Sequence, residues 1–214
     1  IVGGKAREQL RDDLYRTGQY YVYRPRLYIL TGLLYATEPR IPIQQLHEVS
    51  FIVHEWVDWY KKVAGAFVST EVLRAIARRF FGDEVAFDFS TYEGKAQAAA
   101  KIQEREYAKE CLILCDSSWP MRYVRSSADH IGDPTVESKI LAAVTGKAMD
   151  ESGLCRIGER VFNLQRAILV REGHRGRESD TIPETDYTVP LKLEFGNPDS
   201  LLPGEGGEII VRKG

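Results

Sequence analysis

The chain has 214 residues, with 29 Lys and Arg against 31 Asp and Glu, and 43% hydrophobic residues. That is enough for one large domain or two small ones, and a balanced charge without a basic stripe excludes a nucleic-acid footprint. No apolar run approaches the roughly 18 residues that span a bilayer, which argues against membrane insertion, and Ile1-Val2-Gly3-Gly4 lacks the charged and apolar regions of a signal peptide.

Helical periodicity dominates the first four-fifths. Lys5 to Arg16 reads as a polar surface helix. After Arg24-Pro25-Arg26, a short apolar helix is predicted through Leu30, Leu33 and Leu34, ending near Glu38-Pro39. Pro42 can open the next helix, since proline is tolerated in a first turn. Its stripe Val49, Ile52, Val53, Trp56, Tyr60, Val63 has the three-four spacing of one buried face. Gly65 is the predicted stop. Ser69 then caps a helix with Glu71 near its positive end and Val72, Leu73, Ile76 and Phe80 inward, closing at Gly82-Asp83.

A long helix is predicted from about Tyr92 to Leu112, with Ala96, Ala99, Ala100, Gln103, Tyr107 and Cys111 on one face. Gln103 is the polar interruption there, and a buried amide needs partners. Trp119-Pro120 breaks the chain. A short helix follows from about Val136 to Val144, closed by Thr145-Gly146, and then a helix with Leu154, Ile157, Val161, Leu164 and Ile168 in rhythm. Beyond Gly173 the composition turns to Gly, Pro, Asp and Glu, and only Glu208-Ile209-Ile210-Val211 suggests a strand. The expected fold class is all-α with an irregular tail. A structureless loop of roughly thirty residues is unusual in a compact domain, so the chain reads as a piece of a larger protein.

The three cysteines, Cys111, Cys115 and Cys155, are too few and too odd in number for a disulfide framework. They read as reduced thiols of a cytoplasmic protein. The Cys-x3-Cys spacing of the first two is not that of a zinc ribbon, and no second pair completes a tetrahedral site. The opening Ile-Val-Gly-Gly mimics a mature trypsin-like end, but no Gly-Asp-Ser-Gly or Ala-His-Cys segment follows.

Three stretches together carry a family likeness: Gly32-Leu33-Leu34-Tyr35-Ala36-Thr37-Glu38-Pro39-Arg40; Lys109-Glu110-Cys111-Leu112-Ile113-Leu114-Cys115-Asp116; and Ile157-Gly158-Glu159-Arg160-Val161-Phe162-Asn163-Leu164 followed by Arg171-Glu172-Gly173. In this order the chain resembles the multihelical C-terminal domains of the tungsten-pterin aldehyde:ferredoxin oxidoreductase family. The likeness implies a helical subdomain over 1–90 lining the active-site side, a second over 91–190 with a helix end facing cluster and cofactor, and an irregular tail over 191–214. It also implies two cofactors, a tungsten-bis-pterin and a 4Fe–4S cluster. Neither is complete on this chain, which has no Cys-x2-Cys-x3-Cys run. The implied reaction is oxidation of an aldehyde, a small-molecule substrate, to a carboxylic acid. Electrons pass to ferredoxin or an electron-transfer subunit, and the remainder of the same enzyme is the chief partner. The chain by itself is expected to be inactive.

In that family a helix ends in Asp-x-x-Gly-Leu-Cys, whose acidic residue hydrogen-bonds the pterin and whose cysteine is the fourth cluster ligand. By register, Glu110 takes the acidic place, Leu114 the leucine and Cys115 the ligand, with Glu for Asp and Ile113 for Gly as departures. Asp150-Glu151-Ser152-Gly153-Leu154-Cys155 matches the motif more literally, but the Gly158-Glu159-Arg160 helix follows at once, whereas in the family it lies tens of residues beyond the ligand. Order along the chain therefore favours Cys115, and Asp150 reads as a helix cap. Near Gln44 the aldehyde oxidoreductases carry a proton-transferring histidine, and the nearest imidazole here is His47. Either His47 serves as the catalytic acid–base group, or the chemistry departs from aldehyde oxidation, as in the tungsten-dependent benzoyl-CoA reductases of the same likeness. A non-catalytic helical interaction module is the reading from another class. His54 reads as packed or half-exposed, His130 as a surface turn residue, and His174 as part of a structural Arg-Glu-Gly turn.

Overall fold

The computed structural model describes residues 28–38, 43–89, 91–182, 201–203 and 209–211, the strand residues, Ile43 and Gln44 by backbone alone. The expected helix from Lys5 to Arg16, Pro42 and most of the predicted tail lie outside them.

Helix α1, Thr31–Thr37, buries Leu34 and Tyr35 and ends where Glu38 turns extended ahead of Pro39. Helix α2, Ile43–Tyr60, buries Val49, Ile52, Val53 and Trp56 as its spacing predicts. Tyr60, the last residue of the helix, and Val63 beyond it are exposed instead, Lys62 at φ 58° diverting the chain between them. Ser69 accepts a hydrogen bond from the Val72 amide (3.2 Å) and caps α3, Thr70–Ile76. One π-type turn, Ala77–Phe81, carries that helix to Gly82 at φ 92°. A 3-10 turn, Glu84–Phe87, follows.

These segments enclose one apolar cluster, which includes Tyr28, Leu34, Tyr35, Leu46, Ile52, Ile76, Phe81 and Phe89 and reaches Ala98, Ala99 and Ile102 of the long helix α4, Lys95–Cys111. On its other side α4 packs most extensively against α6, Glu151–Arg171, with the short α5, Val136–Thr145, alongside. Gly158 sets that approach: a Cβ there would overlap the Glu104 carbonyl of α4. Leu201–Pro203 (β1) and Ile209–Val211 (β2) pair antiparallel, Leu201 opposite Val211. The fold is all-α; β2 falls where the sequence suggested a strand, and β1 was not predicted.

The buried faces of two helices differ from those the apolar pattern predicts. On α4, Ala96, Ala100 and Cys111 are exposed, while Arg105, Glu106 and Lys109 are buried with Ala98, Ala99, Ile102, Gln103 and Tyr107. Charges enter this core because they meet opposite charges there, and apolar periodicity cannot register that. On α6, Leu154 and Gly158 are buried, whereas Leu164 is 62% exposed and Ile168 47%. Gln103 finds its partner in the hydroxyl of Thr37. Among the described residues, no helix is long and apolar enough to cross a membrane.

Candidate functional site

The end of α4 organises the site. Its last carbonyls are closed by the amides of Ile113, to Glu110 (3.0 Å), and Leu114, to Lys109 (3.3 Å), with Ile113 in the left-handed region at φ 55°. This is the C-terminal closure that usually takes glycine. So the helix ends at Cys111, and Cys115 lies beyond it, not in the helix end where the sequence reading put it. Cys115 opens a tight turn in which its carbonyl accepts from the Ser118 (3.2 Å) and Trp119 (3.0 Å) amides. Its side chain is exposed. Its thiol is held below its ordinary range, chiefly by the neighbouring Ser117 amide and then by Ser118. Glu110 is exposed on the last turn of α4, and Leu114 is half-buried.

Lys109 fastens this turn to the helix. Its side chain is 2% exposed, and Nζ donates to Asp116 Oδ1 (2.8 Å) and the Trp119 carbonyl (3.5 Å) while pairing with Glu106. Burial works against its charge, yet Glu106 and Asp116 keep it above its ordinary value. The other oxygen of Asp116 hydrogen-bonds Nδ1 of His47, which reaches across from α2 and stacks on Phe51 with ring centroids 4.6 Å apart. Burial pushes against the Asp116 carboxylate, but Lys109 and His47 hold it below the usual range.

Behind Lys109 the charges continue inward. Glu106 lies against Glu48, and burial together with that neighbour raises its carboxyl well above the carboxylate range in spite of Lys109. Glu48, fully buried, pairs with Arg105 Nε (3.4 Å), whose guanidinium also meets Glu151 (3.5 Å), the Phe80 carbonyl (3.3 Å) and the face of the Phe80 ring. Burial opposes the Arg105 charge, but Glu48, Glu137, Cys155 and Glu151 favour it.

Of the sequence-predicted residues, the structure brings His47 to the residue that follows Cys115, with Glu110 on the last turn of α4 and Leu114 just beyond that helix. Asp150 is a helix cap: its Oδ1 accepts from the Gly153 amide (2.7 Å). Cys155 is half-buried beside Arg105, and burial raises its thiol. His54 is exposed, its ring 3.5 Å from the Tyr28 hydroxyl. His130 sits at φ 58° against Phe67, and His174 lies 3.5 Å from Asp180 after the Gly173 turn. Sequence reasoning missed Lys109, Glu106, Glu48 and the two serines. The i, i+3 spacing of Glu106 and Lys109 was the available signal.

His47 of α2 and Lys109 of α4 thus meet at Asp116, in the cysteine-bearing turn. The family model described as aldehyde ferredoxin oxidoreductase, domains 2 and 3, covers residues 18–201, and the chain belongs to that family. No solved structure matches it.

Proposed function

We propose that the chain is part of a tungsten-bis-pterin, 4Fe–4S oxidoreductase that oxidises aldehydes to carboxylic acids and passes electrons to ferredoxin or a partner subunit. The observation that carries this is the Cys115 turn. An exposed, free thiol on a tight turn just past the end of α4, the turn closed on the Cys115 carbonyl and anchored by Lys109, suits a thiolate ligand. Family membership supplies the rest of the reading.

The residues present fit the implied groups. Cys115 would supply one of four cluster thiolates, and the other three lie elsewhere in the enzyme. Glu110 would accept a hydrogen bond from a pterin amine, its extra methylene relative to Asp being accommodated on the exposed last turn of α4. Leu114 would lie between them. When bound, the metal–pterin centre supplies the two-electron chemistry at the carbonyl and the cluster carries the electrons away. His47 would take up a proton released in the oxidation, with Asp116 bearing on Nδ1 of its ring. In this reading residues 1–90 line the active-site side, and 91–190 carry the cluster-facing turn.

A second reading, reduction of an aromatic acyl-CoA thioester, has one observation in its favour. Gln44 stands where aldehyde oxidoreductases carry the histidine, and His47, one turn on, is tied to Asp116. Assaying the full-length enzyme with aldehydes against aromatic acyl-CoA thioesters separates the two. Substituting Cys115→Ser and Cys155→Ser and measuring cluster iron tests the site itself. Iron loss confined to Cys155→Ser would reassign the ligand, and iron indifferent to both would favour a non-catalytic helical module.

A further inference from the structure

Lys109 and His47 are joined through the two oxygens of one carboxylate. An ammonium has three N–H donors and no acceptor, and Nζ of Lys109 meets three oxygens: Glu106 Oε2, Asp116 Oδ1 (2.8 Å) and the Trp119 carbonyl (3.5 Å). Its side chain is 2% exposed, so its charge depends on these partners. Paired with a buried cation through Oδ1, Asp116 is a carboxylate, a group that only accepts. Its Oδ2 therefore accepts from His47, and Nδ1 is the donor. Phe51, one turn further along α2, stacks on the imidazole with the ring planes 14° apart and fixes its orientation. Glu48, beside His47 on α2, turns inward to Arg105 (3.4 Å).

We propose that Lys109 is a positioning residue: through Asp116 it holds the neutral imidazole of His47 with its proton on Nδ1, so that Nε2 is the atom that takes up the proton released in substrate oxidation. The inference rests on the reading of His47 as the proton-transfer group. A neutral imidazole has one donor and one acceptor nitrogen, and the hydrogen bond made by one decides the role of the other. When Nε2 takes the proton, Nδ1–H stays in place and Asp116 faces a cation. In this role neither Lys109 nor Asp116 touches the substrate.

Two measurements on the full-length enzyme test this. The first is NMR of the imidazole nitrogens in the oxidised, histidine-labelled enzyme above neutral pH, with the His47 signals assigned by their loss in His47→Gln. The expected spectrum has a protonated Nδ1 and an unprotonated Nε2, and any state with a proton on Nε2 overturns the inference. The second is aldehyde turnover per bound iron in Asp116→Asn and Asp116→Ala. Asparagine has a single carbonyl oxygen, which Lys109 would claim, so its amide would donate to Nδ1 and move the ring proton to Nε2. Asp116→Asn should therefore lower kcat by about two orders of magnitude or more, with KM within a few-fold. It should also be slower than Asp116→Ala, which leaves the tautomer unspecified. A packing role predicts the reverse order, because asparagine keeps the shape of aspartate, and that order overturns the inference. Wild-type kcat in Asp116→Asn beside a slow His47→Ala removes the inference and leaves the proton-transfer reading intact. If His47→Ala keeps wild-type turnover, that reading falls and the role of Lys109 falls with it.

Discussion

Nδ1 of His47 and Oδ2 of Asp116 are hydrogen-bonded although 69 positions separate them in the chain. Asp116 is also the residue after Cys115, so this contact ties the imidazole of α2 to the cysteine-bearing turn, with Lys109 on the far oxygen of the same carboxylate.

If His47 moves a proton, His47→Ala in the full-length enzyme should lower turnover by roughly two to four orders of magnitude, the range for losing a positioned acid or base. Steady-state rates at saturating substrate are the measurement. Turnover within a few-fold of wild type would remove His47 from the chemistry.

Glu106 should make stability depend on pH with a definite sign. Its folded carboxyl is held well above the ordinary value of 4.5. As pH rises past that value the unfolded chain releases this proton while the folded chain keeps it. Glu106 therefore favours folding at low pH, and the benefit is lost from about pH 4.5 upward, with a slope of at most about 1.4 kcal/mol per pH unit. Asp116, held low, works in the opposite sense below its unfolded value of 3.8. Comparing wild type with Glu106→Gln isolates the first effect. The variant should gain relative stability between pH 5 and 7 in urea unfolding, and parallel pH profiles would show that Glu106 is ionised in the fold.

Ile113 closes the end of α4 at a position that usually takes glycine, and its backbone is left-handed at φ 55°. Its side chain is 92% exposed, so it gains little from burial. A β-branched residue in that region costs about 1–2 kcal/mol, partly offset by the greater freedom glycine has when unfolded. Ile113→Gly should raise stability by about 1 kcal/mol, visible as a higher denaturation midpoint with unchanged slope.

Gly158→Ala should do the reverse. The added Cβ has no room against the Glu104 carbonyl and the Ala108 amide, and backbone atoms inside a helix cannot rotate away. Separating α4 from α6 should cost about 3 kcal/mol, at the upper end for an overpacked contact. A midpoint equal to wild type would mean that the two helices separate at little cost.

Local chemistry made much of the fold legible before any tertiary contact was considered. Ser69 and Asp150 act as caps because a short oxygen-bearing side chain satisfies amides two or three residues ahead, and Gly82 and Gly146 end segments because they accept positive φ. The order of the three quoted stretches was likewise sufficient to identify the family. What the one-dimensional pattern could not decide was which charges go inside. Arg105, Glu106 and Lys109 read as an ordinary solvated run on α4, and whether such a run can be buried depends on what faces it across the core. Glu48 comes from α2, Glu137 and Glu151 from α5 and its neighbour, and Asp116 from the turn beyond. The cost of desolvating a charge is offset only by a partner of opposite sign at contact distance, and apart from the Glu106–Lys109 pair within α4 such partners here stand on separate elements. Tertiary structure alone therefore decided that His47 meets Asp116, that Lys109 anchors the Cys115 turn, and that Gly158 must remain without a side chain.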